Sequence, residues 1–128
     1  MIARIIIPQT PKWFETRHKY LKRIIDRWDG YTYWEGIGGW KDHKGKTKRE
    51  PVIILDVYVP ADTQVNRQWW TSFADRVRGD LHQDCVYLQF TQADVQFVGE
   101  ETESKDEDRT LRALFPESFT DHDIGGEG

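Results

Sequence analysis

The chain has 128 residues, of which 38% are hydrophobic and 31% are charged, and its formal net charge at pH 7 is −4. This length fits one domain of ordinary size. No segment approaches the roughly 18 apolar residues of a membrane-spanning helix, and the N-terminus lacks the long apolar run of a signal peptide. The single cysteine, Cys85, excludes an intrachain disulfide and favours a cytoplasmic location.

The charge is distributed unevenly along the chain. Residues 1–98 hold 12 acidic and 15 basic side chains, a net charge of +3, whereas residues 99–128 hold ten acidic and three basic ones, a net charge of −7. We therefore predict a single α+β domain over residues 1–98 and an acidic, partly flexible C-terminal tail over residues 99–128.

The first predicted elements are a strand and a helix. Residues 2–8 are rich in β-branched side chains, which is typical of a strand. Thr10 followed by Pro11 is typical of an N-cap and the first helical position, and Asp29-Gly30 predicts the end of that helix. Four apolar residues at helical spacing are predicted to form its buried face: Phe14, Leu21, Ile25 and Trp28.

A hairpin is predicted to follow the first helix. Residues 31–35 alternate as a strand, residues 42–46 form the hairpin tip, and residues 51–59 are the clearest strand in the chain. The near-continuous apolarity of this last strand predicts a central position with both faces covered. Three glycines after residue 35 would allow a bulge or a turn with positive φ: Gly36, Gly38 and Gly39.

The second half of the domain is predicted to contain one more helix and at least one strand. Asp62 is the candidate N-cap, and Trp69 is placed at the boundary between core and surface. Residues 85–90 are typical of a strand with Cys85 as an inert, buried thiol, and residues 94–98 are typical of a further strand. The buried face of the helix is predicted from helical spacing to be Trp70, Phe73, Val77 and Leu81.

The predicted order β-α-β-β-α-β favours a ferredoxin-like α+β sandwich. Two helices would cover one face of an antiparallel sheet and leave the other face open. A small domain with an open, partly aromatic sheet face commonly dimerises through it. We therefore expect a homodimer or a higher homo-oligomer.

No catalytic constellation is recognisable. None of the four histidines has an H-x-x-H or C-x-x-C partner, which leaves Asp121-His122-Asp123 in the tail as the one alternative metal-binding set. The chain has no nucleophile elbow, no P-loop, no dinucleotide-binding fingerprint and no pair of H-x-T/S motifs. We accordingly predict no catalytic residue, no metal and no cofactor.

Two segments have the composition of a binding site. Residues 29–49 combine glycines, aromatic rings and five Lys or Arg residues between positions 41 and 49. Glycines expose backbone N–H groups, cations bind phosphate and tryptophans stack on bases. The same composition also fits a glycine-rich hairpin with a solvated lysine tip, and Trp69 on the second helix could simply cap the core edge.

On the binding interpretation, a pocket would lie where the 36–49 hairpin meets the second helix or a partner subunit. Its ligand would be a phosphorylated, base-containing small molecule. The predicted ligand-binding residues are Arg17, Trp34, Trp40, Lys41, Lys46, Arg49, Arg67, Trp69, Arg76, Gln89, Thr91 and Gln92.

An ordered set of turn and strand-entry residues carries a resemblance to known proteins. The set is Gly30, Thr32, Gly39-Trp40, Asp42, Gly45 and Arg49-Glu50-Pro51 before an apolar strand. With this layout, the chain resembles a group of small bacterial and phage α+β proteins over about residues 3–98. The group includes a bacterial family of unknown function and the phage anti-Thoeris sponge family.

The resemblance implies a phage anti-defence protein. Such a protein binds and sequesters a nucleotide-derived immune second messenger, a cyclic ADP-ribose isomer or a cyclic oligonucleotide, without cleaving it. It would act as a homo-oligomer in the cytoplasm of the host cell and would not be an enzyme.

Two alternatives stay open. The first is a small ferredoxin-like dimeric enzyme acting on a small metabolite, with His18, Glu35 or Glu50 as its base. The second is an interaction protein that blocks a partner through the acidic tail. Binding of long nucleic acid fits less well, because the whole chain is acidic.

Overall fold

The computed structural model describes residues 1–99, so the predicted acidic tail lies almost entirely outside the described residues. The described chain follows the predicted order. None of its helices is long and apolar enough to cross a membrane. Its elements are β1 (Ile2–Pro8), α1 (Pro11–Trp28), β2 (Thr32–Lys41), β3 (Thr47–Tyr58), α2 (Gln64–Asp80) and β4 (Tyr87–Thr91).

The four strands form one antiparallel sheet in the order β2-β3-β1-β4. Strand β3 lies between β2 and β1, which confirms the predicted central position of the most apolar strand. Two helices and this strand order give an α+β fold of the ferredoxin-like type. The predicted fold class is therefore confirmed.

The core lies between the helices and one face of the sheet. Ile5 pairs with Leu55 and Ile7 with Ile53 in the β1–β3 register, and all four side chains are buried. The alternate residues of β3, such as Ile54 and Tyr58, are half-buried on the other face. The expectation that both faces of this strand are covered is therefore wrong for the described residues, because both helices pack on the same side.

The buried faces of the two helices were predicted with different success. All four residues predicted for the face of the second helix are buried, as expected for their helical spacing; Leu81, the last of them, is the C-cap just after α2. In α1 only Trp28 is correct, and Phe14 is 49% exposed. The true face is shifted by one residue because it buries the larger rings of Trp13 and Tyr20, which stack at 6.1 Å. The buried residues of α1 are Trp13, Tyr20, Ile24 and Trp28.

The helix ends follow local hydrogen bonding. The Thr10 side chain accepts a hydrogen bond from the Trp13 backbone N–H, which confirms the predicted N-cap of α1. The prediction of Asp62 as the N-cap of α2 is wrong, since Thr63 accepts from Asn66 and Asp62 binds Arg67 instead. Helix α1 ends at Trp28, in agreement with the predicted end at Asp29-Gly30, and its C-cap Asp29 takes the left-handed conformation with φ 75°.

The three glycines near the hairpin lie inside β2 and form neither a bulge nor a turn. A Cβ at Gly38 would lie 3.0 Å from Val52 Cγ1, and one at Gly36 would lie 3.1 Å from Ile54 Cδ1. These glycines therefore leave room for branched side chains of β3. The β1–β3 pairing ends at Val52. Residues 47–51 of β3 therefore pair only with residues 37–41 of β2, and these two segments form a two-stranded arm.

Two further expectations about the C-terminal part of the domain are wrong. Cys85 is exposed, because β4 begins only at Tyr87 and the thiol lies in the preceding loop. Residues 94–98 form no strand; β4 ends at Thr91.

Candidate functional site

A groove between α1 and α2 is the strongest candidate for a ligand site, and we call it the helix-layer groove. Its cavity volume is about 680 Å³, which is within the usual range of small-molecule sites. It lies on the surface of the helices that faces away from the sheet core. The lining residues are Arg23, Arg27, Val65, Gln68, Trp69, Ser72, Phe73, Asp75 and Arg76.

Trp69 supplies the aromatic surface of this groove. Its ring stacks on Phe73 with centroids 5.2 Å apart and meets Trp28 edge-on at 5.5 Å. The side chain is half-buried at the edge of the core, as the sequence predicted for the residue beside Trp70. Trp69 is thus a rigidly held ring that can offer apolar contact to a ligand.

Arg27 is fixed in place by two contacts. Its Nη2 atom donates a 3.0 Å hydrogen bond to Asn66 Oδ1, and its Cζ lies 4.0 Å from the ring centroid of Trp28. Asn66 is itself buried and donates to the backbone carbonyl of Ala61 at 2.8 Å. This guanidinium group is therefore preorganised at the groove.

The other arginines leave the groove with an excess of positive charge. Arg23 and Arg76 form no ion pair with another described residue. Among the described residues that line the groove, Asp75 is the only one with a carboxylate, and it accepts a 2.9 Å hydrogen bond from Arg78. Guanidinium groups bind carboxylate and phosphate with paired hydrogen bonds, so this arrangement is suited to an anion.

A polar contact between the helices lies close to Arg76 along the chain. The Tyr20 hydroxyl donates a 2.5 Å hydrogen bond to Asp80, which also pairs with Lys19 at 3.4 Å. Burial, and then the bond to Asp80, raises the pKa of Tyr20 to about 12. The same hydrogen bond, followed by that of Lys19, lowers the pKa of Asp80. The contact joins the two helices that form the groove.

A second cavity of about 440 Å³ lies on the open side of the sheet, and we call it the sheet-face cleft. The two-stranded arm, the end of β1 and the loop before β4 surround it. Its principal side chains are Trp40, Glu50, Val52, Asp84, Cys85 and Tyr87. Two carboxylates, but no Lys or Arg, belong to the described residues that line it.

The structure distributes the predicted binding residues over several surfaces. Trp69 and Arg76 line the helix-layer groove, and Trp40 lines the sheet-face cleft. The sequence predicted a pocket where the hairpin meets the second helix or a partner subunit. Neither cavity is lined by both the hairpin and α2. Arg23 and Arg27 are not among the residues predicted from the sequence, although their i, i+4 spacing next to Trp28 places them on one side of α1.

Arg67 and Gln92 belong to a separate network around Asp62. Arg67 donates two hydrogen bonds of 2.7 and 3.0 Å to Asp62, and Gln92 donates one of 2.6 Å. The hydrogen bond from Arg67 lowers the pKa of Asp62. The Arg67 guanidinium also lies 4.7 Å from the ring centroid of Phe90. This network links α2 to the chain after β4.

Three more of the predicted residues lie on the open face of the sheet. Trp34 pairs with Ile54, and the Arg4 guanidinium lies 5.3 Å from the Trp34 ring centroid. On β4, Gln89 donates a 3.2 Å hydrogen bond to the Thr91 hydroxyl and accepts one of 2.8 Å from the Tyr87 hydroxyl. Strands β3 and β1 separate Trp34 from this pair.

The remaining predicted cations are exposed and apart from both cavities. Lys41, Lys46 and Arg49 lie at the end of the two-stranded arm. Arg17 lies on α1, with its guanidinium 5.5 Å from the ring centroid of Phe14. The lysine-rich hairpin therefore has the placement of a solvated tip.

The candidate catalytic bases are not gathered into one site. His18 and Glu35 are exposed, and Glu35 accepts a 3.0 Å hydrogen bond from Gln9. Glu50 alone lies in a cavity, the sheet-face cleft. Within residues 1–99, no cluster of three His, Cys, Asp or Glu side chains could hold a metal ion.

Comparison with known proteins identifies the fold. No family model matches the chain, and no curated protein matches its sequence. It is similar to a point mutant of CutA1 from Pyrococcus horikoshii OT3, with 14% identity, a TM-score of 0.52, and coverage of 85% of this chain and 96% of the other. It is also similar to CutA from Pyrococcus horikoshii in 3 M guanidine hydrochloride, with 14% identity, a TM-score of 0.51, and coverage of 85% of this chain and 97% of the other. At this identity the likeness concerns the fold alone.

Proposed function

We propose that this protein binds and sequesters an anionic, base-containing small molecule without transforming it. The ligand class is a nucleotide-derived second messenger, such as a cyclic ADP-ribose isomer or a cyclic oligonucleotide. The observation that carries the proposal is the helix-layer groove, where Arg23, Arg27 and Arg76 line the same cavity as Trp69. Phosphate would bind the guanidinium groups and the base would lie against the indole.

The preorganisation of the groove supports sequestration. A tight binder needs a site that is formed before the ligand arrives, because each side chain ordered on binding reduces the affinity. Arg27 is already held by Asn66 and Trp28, and Trp69 is held by Phe73. Sequestration requires no acid–base pair at the groove, and none of the candidate bases His18, Glu35 and Glu50 is among its described lining residues.

The anti-defence role and the cytoplasmic location rest on the resemblance to the anti-Thoeris sponge family. In a host cell, depletion of a signalling nucleotide would keep a defence effector inactive. The basic groove supports the ligand class that this role needs, since a nucleotide-sized anion responds mainly to the local field and not to the net charge of −4.

Assembly into a homo-oligomer is part of the proposal. Strand β2 is at the edge of the sheet, and its exposed side chains include Tyr33 at 40% and Ile37 at 65% exposure. Tyr31 stacks on Tyr33 with centroids 5.9 Å apart. Exposed apolar side chains on an edge strand support contact with a second copy.

Calorimetric titration of the purified protein with cyclic ADP-ribose isomers and cyclic dinucleotides tests the proposal. We expect a Kd below about 1 μM for at least one of them. The bound ligand should be recovered with unchanged mass after the protein is denatured. Recovery of a cleaved product would instead identify an enzyme, and the absence of heat with every member of both classes would reject the ligand class.

A further inference from the structure

The charged side chains that line the sheet-face cleft are acidic, whereas those of the helix-layer groove are mainly basic. Its polar side chains include Glu50 and Asp84, and neither makes an ion pair or a side-chain hydrogen bond with another described residue. Lys48 is opposite Trp40 in the β2–β3 register but is not among the residues that line the cleft. The charged side chains among the described residues that line the cleft are therefore both carboxylates, which suits a cation better than a phosphate.

The walls of the cleft are aromatic and apolar. Trp40 lies on the arm and is 45% exposed, and Tyr87 on β4 is 53% exposed. Ile6, Pro8 and Val52 contribute the apolar lining between them. Indole and phenol rings attract cations through their electron-rich faces, most strongly when the cation is partly desolvated.

The glycines of β2 place no side chain in this part of the cleft. Gly38 lines the cleft, and its missing side chain leaves the space that Val52 Cγ1 occupies, 3.0 Å from the position of a Cβ. A cavity of about 440 Å³ remains, which is large enough for a small organic molecule.

We infer that the sheet-face cleft is a second binding site, specific for a small organic cation such as a quaternary ammonium or an alkylated amine. The ammonium group lies against Trp40 and Tyr87, and Glu50 and Asp84 neutralise its charge. This site is independent of the anion site proposed on the helices, because the two cavities share no lining residue.

A shape-matched pair of probes tests the inference. Choline carries a quaternary ammonium, and 3,3-dimethylbutan-1-ol replaces it with a neutral tert-butyl group of the same shape. We expect choline to cause saturable amide chemical-shift changes in ¹⁵N-labelled protein at Gly38, Gly39, Asp84 and Cys85. The neutral alcohol should cause no saturable changes at these positions.

Variants separate the cation site from general attraction to an acidic protein. Glu50→Gln and Asp84→Asn should each weaken choline binding by about two- to fivefold. Trp40→Leu should weaken it by about 2- to 30-fold, the range for a cation on an aromatic face. Glu15→Gln removes the same charge from the exposed surface of α1 and should leave binding unchanged.

Three results would overturn the inference. Equal binding of choline and the neutral alcohol would show an apolar cleft with no preference for charge. Unchanged choline binding in both Glu50→Gln and Asp84→Asn would remove the role of the carboxylates. Shifts at these amides that depend on protein concentration but not on choline would show that a second copy of the chain fills the cleft.

Discussion

The Tyr20 hydroxyl on α1 donates a 2.5 Å hydrogen bond to the Asp80 carboxylate at the end of α2. The two residues are 60 positions apart in the chain. This hydrogen bond joins a side chain of α1 to a side chain of α2. The groove between the same two helices is the candidate anion site.

Removal of this hydroxyl should destabilise the fold modestly. Tyr20→Phe leaves the ring stacked on Trp13 but removes the hydrogen bond to Asp80. We expect the free energy of unfolding to fall by about 1 kcal/mol, because the Asp80 side chain is 34% exposed and retains Lys19. Urea denaturation measures the change. Tyr31→Phe, on an exposed ring, is the matched control and should have no effect.

The same hydroxyl predicts a loss of stability at alkaline pH. The pKa of Tyr20 is raised from 10.0 to about 12 in the folded protein, so folding favours the neutral phenol. Its contribution is fully present below pH 10 and is lost as the pH rises towards 12. Unfolding midpoints measured across this range should fall more steeply for the parent than for Tyr20→Phe. Parallel curves would contradict the assignment.

Asp80 should contribute to stability in the opposite pH direction. Its pKa is lowered from 3.8 by the Tyr20 hydrogen bond and by Lys19. The contribution is present above pH 3.8 and is lost as the pH falls through the lowered folded-state pKa. Asp80→Asn should flatten the acid limb of the stability curve, as measured by urea denaturation at successive pH values. An unchanged acid limb would show that other carboxylates dominate it.

Neighbouring glycines of β2 should respond differently to the same substitution. Gly38→Ala places a Cβ 3.0 Å from Val52 Cγ1, so the valine must move, at a cost of about 1 kcal/mol. At Gly39 the nearest atom would be 3.7 Å away, an ordinary contact, and Gly39→Ala should be neutral or slightly stabilising. Equal urea midpoints for the two variants would contradict the packing described for this strand.

Ligand affinity should depend on the groove and not on the lysine-rich hairpin. Arg23→Ala and Arg76→Ala each remove a guanidinium group from the groove and should weaken nucleotide binding about 10- to 100-fold in calorimetry. Arg49→Ala removes the same charge from the two-stranded arm and should change the affinity less than twofold if the site lies between the helices. The reverse pattern would move the site to the hairpin.

The element order was readable from the sequence because the strands and helices carry clear periodicities. β1 and β3 are rich in β-branched residues, and the predicted face of α2 is the buried one. The face of α1 was misassigned because two sets of residues, one position apart, both repeat at helical spacing. Only the packing of Trp13 and Tyr20 against the rest of the core distinguishes them.

The candidate site was harder to predict because it depends on which helix lies beside which. Arg23 and Arg27 are ordinary polar residues of α1 until Trp69 of α2 is placed next to them. The hairpin drew several of the sequence-based binding predictions because its glycines and cations are conspicuous, but Lys41, Lys46 and Arg49 are exposed and line neither cavity. Cys85 was misjudged because the strand begins two residues later than its apolar context suggests.

The most direct test of the central claim is mass spectrometry of the protein purified from cells that make cyclic ADP-ribose isomers or cyclic dinucleotides. Native and then denatured spectra should be compared for the parent and for an Arg23→Ala/Arg76→Ala variant. We expect the parent to retain one of these nucleotides, to release it with unchanged mass and to hold it in an assembly of two or more chains, whereas the variant should be empty. A parent that is empty while the nucleotide persists in the lysate, or a variant that retains it equally well, would overturn the proposed function.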